Sequence, residues 1–411
     1  MNLKMGLALL LLGSFAVRAD TIKIAYIDPL SGLMAATGDH GLRELQFAAA
    51  RINDHGGILG QKLEIVGMDN KLSPPESLTL LNRAIDEGIR YVVQGNGSSV
   101  AGALIDGINK NNARNPDKSV LFLNFAAVDP DFTNSKCSFW HFRFDANSDM
   151  KLQAIVGAMA SDKAIQKVYI IGQDYSFGQQ VSKTAKVLIK EKLPSVQIVG
   201  DELHPLARVK DFSPYVAKIQ ASGADTVVTG NWGSDLALLI RAARDAGLKA
   251  NFYTFYAGVT GSPTAIGEAG IDRVKVVAYY QPSGAPKKTQ DYVNDFKKKY
   301  GAEQDPYTMS LPLALDMLQK AMTTANSTDP LKVGKALEGM KTDGYFGPVE
   351  MRAEDHKMIQ PLFVMTFAKV DGKKVKFNAD GTKDFGFRED FKLDGPATAQ
   401  PTICKMERPG P

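Results

Sequence analysis

The chain has 411 residues, 44% of them hydrophobic and 23% charged, with a formal net charge of +4. That length accommodates two domains at roughly 100–200 residues each, and so small a net charge does not suggest a nucleic-acid partner. Two cysteines and five scattered histidines form no ligand cluster, so no metal site and no cofactor are expected.

The chain opens MNLKMGLALLLLGSFAVRAD. Lys4 gives a positive start, Met5 to Val17 is mostly apolar, and Val17 and Ala19 occupy the small-residue positions before a cut at Asp20. This is the layout of a secretory signal peptide over residues 1–19. The apolar run is too short to span a bilayer of ~30 Å, and no later stretch is apolar for long enough. No cysteine lies near the cut to carry a lipid, so the mature chain is expected to be soluble and exported. Loss of Lys4 and Arg18 takes the formal charge from +4 to +2. In an oxidising compartment the simplest reading of Cys137 and Cys404 is one disulfide, tying the C-terminus to the body near residue 137.

Strand and helix signals then alternate. TIKIAYIDPL (21–30) reads as a strand and GLRELQFAAARINDHGG (41–57) as a helix closed by glycines. KLEIVGMD is a strand, SPPESLTLLNRAIDEG a helix, RYVVQG a strand, SSVAGALIDGINKNNA a helix and VLFLNFAA a strand. Beyond residue 150 the grammar restarts, with strands at KVYIIGQD, VQIVGDEL, DTVVTG, NFYTFYAG and VKVVAYY and helices at SFGQQVSKTAKVLIKEKL, DFSPYVAKIQASG and WGSDLALLIRAARDAGL. The class is α/β, and the two halves look like two copies of one parallel-sheet plan with helices on both faces. After about residue 285 one or two helices are expected, then a glycine-rich turn in DGYFGPVEMR and a hairpin in PLFVMTFAKVDGKKVKF closed at Asp371-Gly372. The tail after residue 385 is rich in Pro, Gly and Asp and is expected on the surface.

The stretch GNGSS (95–99) closes a strand and opens a helix. A Walker loop would need Gly-Lys-Ser/Thr there, and a Rossmann fingerprint a glycine where Val100 stands. What remains is a helix start, whose first amides lack partners and whose dipole favours an anion. Capping by Ser98 or Ser99 is the simpler reading, and the amides it leaves free can still hold a carboxylate. No G-x-S-x-G elbow, H-E-x-x-H or paired cysteine chemistry is present, so no enzyme is expected. His40 and His55 sit by glycines in expected loops, and His204 and His356 read as turn residues. In FWHFRFD, alternation puts Phe139, His141 and Arg143 on one side of a strand. Arg143 reads equally as a carboxylate clamp and as part of a structural ion pair near a domain crossover.

IKIAYIDPLSG, ARINDHGGILGQKLEIVGMDN, DFSPYVAKIQASGADTVVTG and LLIRAARDAGLK, in this order behind an export signal, resemble the periplasmic solute-binding proteins of the branched-chain amino acid type, which feed ABC transporters. The resemblance runs from about residue 22 to 370. It implies two Rossmann-like lobes joined by a hinge, the periplasmic binding protein type I plan, with the ligand trapped between them. The expected division is 20–146 with 281–357 as lobe one, 147–280 with 358–390 as lobe two, and 391–411 as a C-terminal tail. By position, the family's carboxylate-holding serine matches Ser98, with Ser99 beside it, and its small-residue segment matches Ala126, Ala127 and Val128. Thr37, Phe177 and Trp232 fall at aromatic contact positions of the family. The acid that receives a ligand ammonium falls at or next to Tyr256, where NFYTFYAG has no acid. Burying an unpaired ammonium costs several kcal/mol, so the expected ligand is a small carboxylate without an α-amino group, such as an aromatic or oxo acid. A true branched-chain amino acid binder, or a ligand-sensing module for a separate partner, are the alternatives. The expected partners are that ligand and a membrane permease, with the protein itself a periplasmic monomer.

Overall fold

The computed structural model describes residues 21–301, 305, 307–379 and 381–410, and the expected signal peptide lies outside them. The first half runs β1 (Ile22–Asp28), α1 (Ala35–Asp54), β2 (Leu63–Asp69), α2 (Pro74–Asp86), β3 (Tyr91–Gln94), α3 (Ser98–Arg114), β4 (Leu121–Asn124) and β5 (His141–Arg143). Its strands form a parallel sheet in the order β2-β1-β3-β4-β5. β3 and β4 are buried along their whole length, which is why they read as unbroken apolar runs rather than alternating ones. α2 starts where its sequence directs: Ser73 Oγ accepts from the Glu76 amide, with prolines in the first turn.

The second alternation runs α4 (Ser148–Met159), β6 (Lys167–Gln173), α5 (Ser176–Lys192), β7 (Gln197–His204), α6 (Ser213–Ser222), β8 (Thr226–Thr229), α7 (Gly233–Asp245), β9 (Asn251–Thr254), α8 (Ser262–Ile266) and β10 (Val274–Ala278). The chain then returns to the first lobe through α9 (Lys287–Tyr300), α10 (Ser310–Ala325) and α11 (Pro330–Leu337). Tyr292 of α9 donates to Glu44 of α1, and α10 packs on α1. A small antiparallel sheet follows, of β11 (Lys341–Gly344), β12 (Gly347–Met351) and β13 (Met358–Ile359). Finally β14 (Leu362–Lys369) and β15 (Phe385–Leu393) join the second sheet, whose order is β15-β14-β10-β9-β8-β6-β7, and α12 (Gly395–Thr398) closes the chain's regular structure. In that sheet β6 to β10 are parallel, and β14 and β15 are antiparallel. The chain crosses between lobes after β5, after β10 and after β13.

Several expectations need correction. The first helix begins at Ala35, so His40 is a buried helical residue rather than a loop residue. Among the described residues three helices, not one or two, lie between residue 285 and DGYFGPVEMR. DGYFGPVEMR holds the hairpin of β11 and β12, with Gly347 at φ 125° as its permissive residue. β14 pairs with residues 385–393 rather than 373–377. The Asp371 carboxylate accepts the amides of Lys373, Lys374 and Val375, and this local turn satisfies the backbone that a hairpin would have paired. Residues 385–393 are therefore the edge strand of the second sheet and not surface tail, and the irregular tail starts after Thr398. Cys137 and Cys404 are joined in a disulfide, Cα–Cα 5.7 Å. Among the described residues no helix is long and apolar enough to cross a membrane.

Candidate functional site

In an open parallel sheet, ligands bind beyond the carboxyl ends of the strands, where the strand order reverses. Here β1 lies between β2 and β3, and β6 between β7 and β8, so each lobe has such a point. The two points face each other. Ser98 follows β3, Ala126 to Val128 follow β4, Phe177 follows β6, Trp232 follows β8 and Tyr256 follows β9. These sequence-predicted positions all lie just past the carboxyl ends of parallel strands.

The first lobe supplies an amide pole. Gly97, at φ 92°, takes a conformation open to glycine, and its carbonyl accepts the amides of Val100 and Ala101 at 3.1 Å. Neither serine side chain caps α3. The Ser98 hydroxyl and the amides of Ser98 and Ser99 have no partner among the described residues. Ser98 is 2% exposed, whereas the Ser99 side chain is exposed, so Ser99 offers the cleft only its amide. The small-residue segment also contributes less than expected. Asn124 Oδ1 accepts the amides of Ala126 and Ala127 at 3.1 and 2.7 Å, and the Val128 carbonyl accepts from Ser148 N. Only the Val128 amide is left without an acceptor among the described residues.

Beneath the pole, Asp28 holds Asn96: its two carboxylate oxygens accept Asn96 N at 3.1 Å and Asn96 Nδ2 at 2.7 Å. Burial pushes the Asp28 carboxyl up to about 7, against these hydrogen bonds, which lower it. Asn96 Oδ1 in turn accepts from Tyr307 Oη at 3.0 Å.

The second lobe supplies rings. Phe177 stands 5.5 Å from Phe255 and 6.0 Å from Tyr256, centroid to centroid. Trp232 Nε1 donates to Tyr175 Oη at 2.8 Å. Tyr256 meets Tyr307 of the first lobe edge-on at 5.2 Å, closing the cleft between lobes. Thr37 faces the same seam, where a Cβ on Gly233 would stand 3.8 Å from Thr37 Oγ1 and 2.4 Å from Met34 Sδ. Thr260 of the second lobe donates to Asp305 of the first. The lobes are therefore shut on one another. Tyr253 is core instead, its ring under Lys275.

Arg143 lies at the first crossover, fully buried, donating from Nη2 to the Asp129 carbonyl at 2.5 Å. Burial lowers its pKa to about 10, opposed by Asp129, Asp355, Asp145 and Asp149. It stands as a buried cation with carboxylates around it, its Nε and Nη1 unmatched among the described residues. His141 is likewise buried, its Nε2 3.0 Å from Asn124 Nδ2. Among the described residues no group of three or more His, Cys, Asp or Glu is placed to hold a metal ion.

Sequence reasoning missed Tyr175, Tyr307 and the buried pair Lys151–Asp145, Nζ to Oδ2 2.5 Å. Lys151 Nζ also lies 5.0 Å from the Tyr256 ring centroid. Burial holds the Lys151 ammonium below its usual pKa and pushes Asp145 up, each shift opposed by the other's charge.

Comparison with known proteins agrees with this architecture. A family model described as "Periplasmic binding protein" matches residues 21–374. The "Leu/Ile/Val-binding protein homolog 4" of Brucella abortus is 34% identical, over 98% of this chain and 97% of its own. The crystal structure of the leucine-, isoleucine-, valine-, threonine- and alanine-binding protein of Brucella ovis, in its closed conformation, superposes with TM-score 0.84 at 32% identity, covering 95% of this chain and 100% of that one. A Rhodopseudomonas palustris ABC-transporter solute-binding protein in complex with 3,4-dihydroxybenzoic acid shares the fold, with TM-score 0.77 at 19% identity over 92% of this chain and 98% of its own. These relatives are solute-binding proteins rather than enzymes. The chain belongs to the periplasmic binding proteins, of the branched-chain amino acid (Leu/Ile/Val-binding) type.

Proposed function

We propose that this protein, exported by a cleaved signal peptide over residues 1–19, acts as a periplasmic monomer that captures a small organic carboxylate and delivers it to the membrane permease of an ABC importer. The ligand carboxylate sits on the Ser98 hydroxyl and the amides of Ser98, Ser99 and Val128. Phe177, Trp232 and Tyr256 cover the rest of it. Binding shifts an open–closed equilibrium toward the closed form, since only that form touches the ligand from both lobes.

The ligand lacks an α-amino group. The observation that carries this is the state of the acids around the cleft. Asp145 already carries the Lys151 cation as its counter-charge, through Oδ2. Asp28 is held by Asn96 and Gln94, and Asp235 by Gln173 and the Ala207 amide through Oδ2, with its Oδ1 unmatched among the described residues. An ammonium would enter a ring-lined cleft beside the Lys151 cation, at a cost of several kcal/mol without a counter-charge. That is a large share of a micromolar affinity, about 8 kcal/mol. Aromatic and oxo acids avoid it. One fact favours a second reading, a true branched-chain amino acid binder: the relatives at 32–34% identity carry those ligands in their names.

A thermal-shift screen of amino acids against aromatic and oxo acids tests the proposal. A ligand at 100 times its dissociation constant adds about 2.7 kcal/mol of stability. Shifts given by aryl or oxo acids alone support the proposal, and shifts given by leucine or valine alone refute it.

A further inference from the structure

The amide pole favours an anion, yet a carboxylate already lies beneath it. Asp28 ends β1, the strand at the first lobe's switch point, and is fully buried. Its hydrogen-bond partners are neutral amides: Asn96 N at 3.1 Å, Asn96 Nδ2 at 2.7 Å and Gln94 Nε2 at 3.4 Å. On the neighbouring elements, Asp69 of β2 accepts the amides of Leu30 and Lys71, Lys71 is exposed, and Asp39 of α1 pairs with Arg43 at the surface. Tyr26 and Tyr307 are the other titratable groups whose charge Asp28 feels. Among the described residues Asp28 makes no ion pair, so its charge is met only by amides.

The chain itself limits how far this charge lies from a bound anion. Asp28 Oδ1 accepts from Asn96 N, and Ser98 N lies two residues on, at most about 7 Å away. A carboxylate on the Ser98 amide therefore stands within roughly 13 Å of Asp28. At that separation two negative charges in a protein oppose each other by roughly tenfold in an equilibrium constant. Like charges so placed are relieved when one takes a proton. The fold can house that proton. Tyr26 gives its hydroxyl hydrogen to the Gly38 carbonyl at 2.9 Å, and its oxygen lies beside Asp28, where it can accept. A neutral Asp28 keeps an acceptor oxygen for Asn96. Burial already raises the carboxyl to about 7, close to neutrality.

We infer that Asp28 takes up a proton as the cleft takes up its carboxylate, so that this protein captures an organic anion together with H+. Asp28 does not touch the ligand: it positions the pole through Asn96 and couples it to pH through its charge. A bound anion pushes the Asp28 carboxyl up further, so affinity is highest in mild acid. It falls as pH rises through the neutral range, by roughly tenfold between about pH 6 and pH 9. This rests on the reading of the ligand as a carboxylate anchored at Ser98.

The test is calorimetric titration of the full chain with benzoate and with 4-methyl-2-oxopentanoate, whose own carboxylates stay ionised over that range. At about pH 7.5 each acid is titrated in phosphate and in Tris, and the difference in apparent enthalpy counts the protons exchanged. The expected result is uptake of roughly half a proton per bound acid, beside the tenfold fall in affinity. Asp28→Asn, first shown to melt cooperatively, keeps an oxygen for Asn96 N and removes the charge. It should take up no proton and hold one affinity across the range, whereas loss of a merely bracing residue would lower affinity at every pH and leave the slope. The buffer comparison on wild type decides without the variant. An acid that binds wild type without proton uptake overturns the inference and leaves the carboxylate reading standing. So does uptake that persists in the folded variant, which would assign the proton to another buried carboxylate such as Asp305. Binding of leucine with neither acid overturns both.

Discussion

At the scale of single residues, the anion pole depends on what Ser98 does not do. A serine at a helix start ordinarily spends its hydroxyl on a neighbouring amide. Here Gly97 is the N-cap, so the hydroxyl and the first amides stay free toward the cleft. Ser98→Ala should therefore weaken carboxylate binding by roughly tenfold or more, as loss of a hydrogen bond to a charged group requires. Its melting temperature should stay at the wild-type value; titration and a thermal melt of the same sample check both. Ser98 was legible because the strand–turn–helix grammar around GNGSS is local. Arg143 was not, because one strand's alternation says which face a side chain takes but not which carboxylates other segments bring to it. Lys151 was invisible for a related reason: a lone lysine reads as a solvated side chain until the fold surrounds it.

At the scale of elements, the parallel strands and most helices were readable because their signals are local: buried apolar runs, and helices stopped by left-handed glycines such as Gly223 at φ 68° and Gly301 at φ 66°. α4 was missed because it is buried on nearly every side and so lacks a clean amphipathic period. β15 was missed because FGFREDFKL lies among Gly- and Asp-rich segments and is fixed as a strand by pairing with β14. Beyond β15 the tail runs from the second lobe back to the first. There Thr402 donates to the Thr133 carbonyl, Arg408 pairs with Glu338, and Cys404 is bonded to Cys137. It is a covalent strap over the hinge with little regular structure of its own. Cys137→Ser with Cys404→Ser should open residues after Thr398 to limited proteolysis while ligand affinity is kept; a protected tail in that variant would show that the hydrogen bonds suffice.

At the scale of the whole molecule, two α/β lobes place their switch points face to face, and the lobes meet through Tyr256 on Tyr307, Thr260 on Asp305 and Met34 beside Ser234. Affinity in such a molecule is shared between ligand contacts and lobe closure. The duplication of the plan was evident from the sequence. The closing contacts were not, since each joins residues 45 to 200 positions apart that no local pattern relates. The central claim is that the closed cleft accepts a carboxylate but makes no provision for an α-ammonium. The most direct measurement is calorimetric titration with leucine and with 4-methyl-2-oxopentanoate, which share a carbon skeleton and differ at the α-position. The account predicts saturable binding of the oxo acid and weak or undetectable binding of leucine; tight binding of leucine with none of the oxo acid would contradict it.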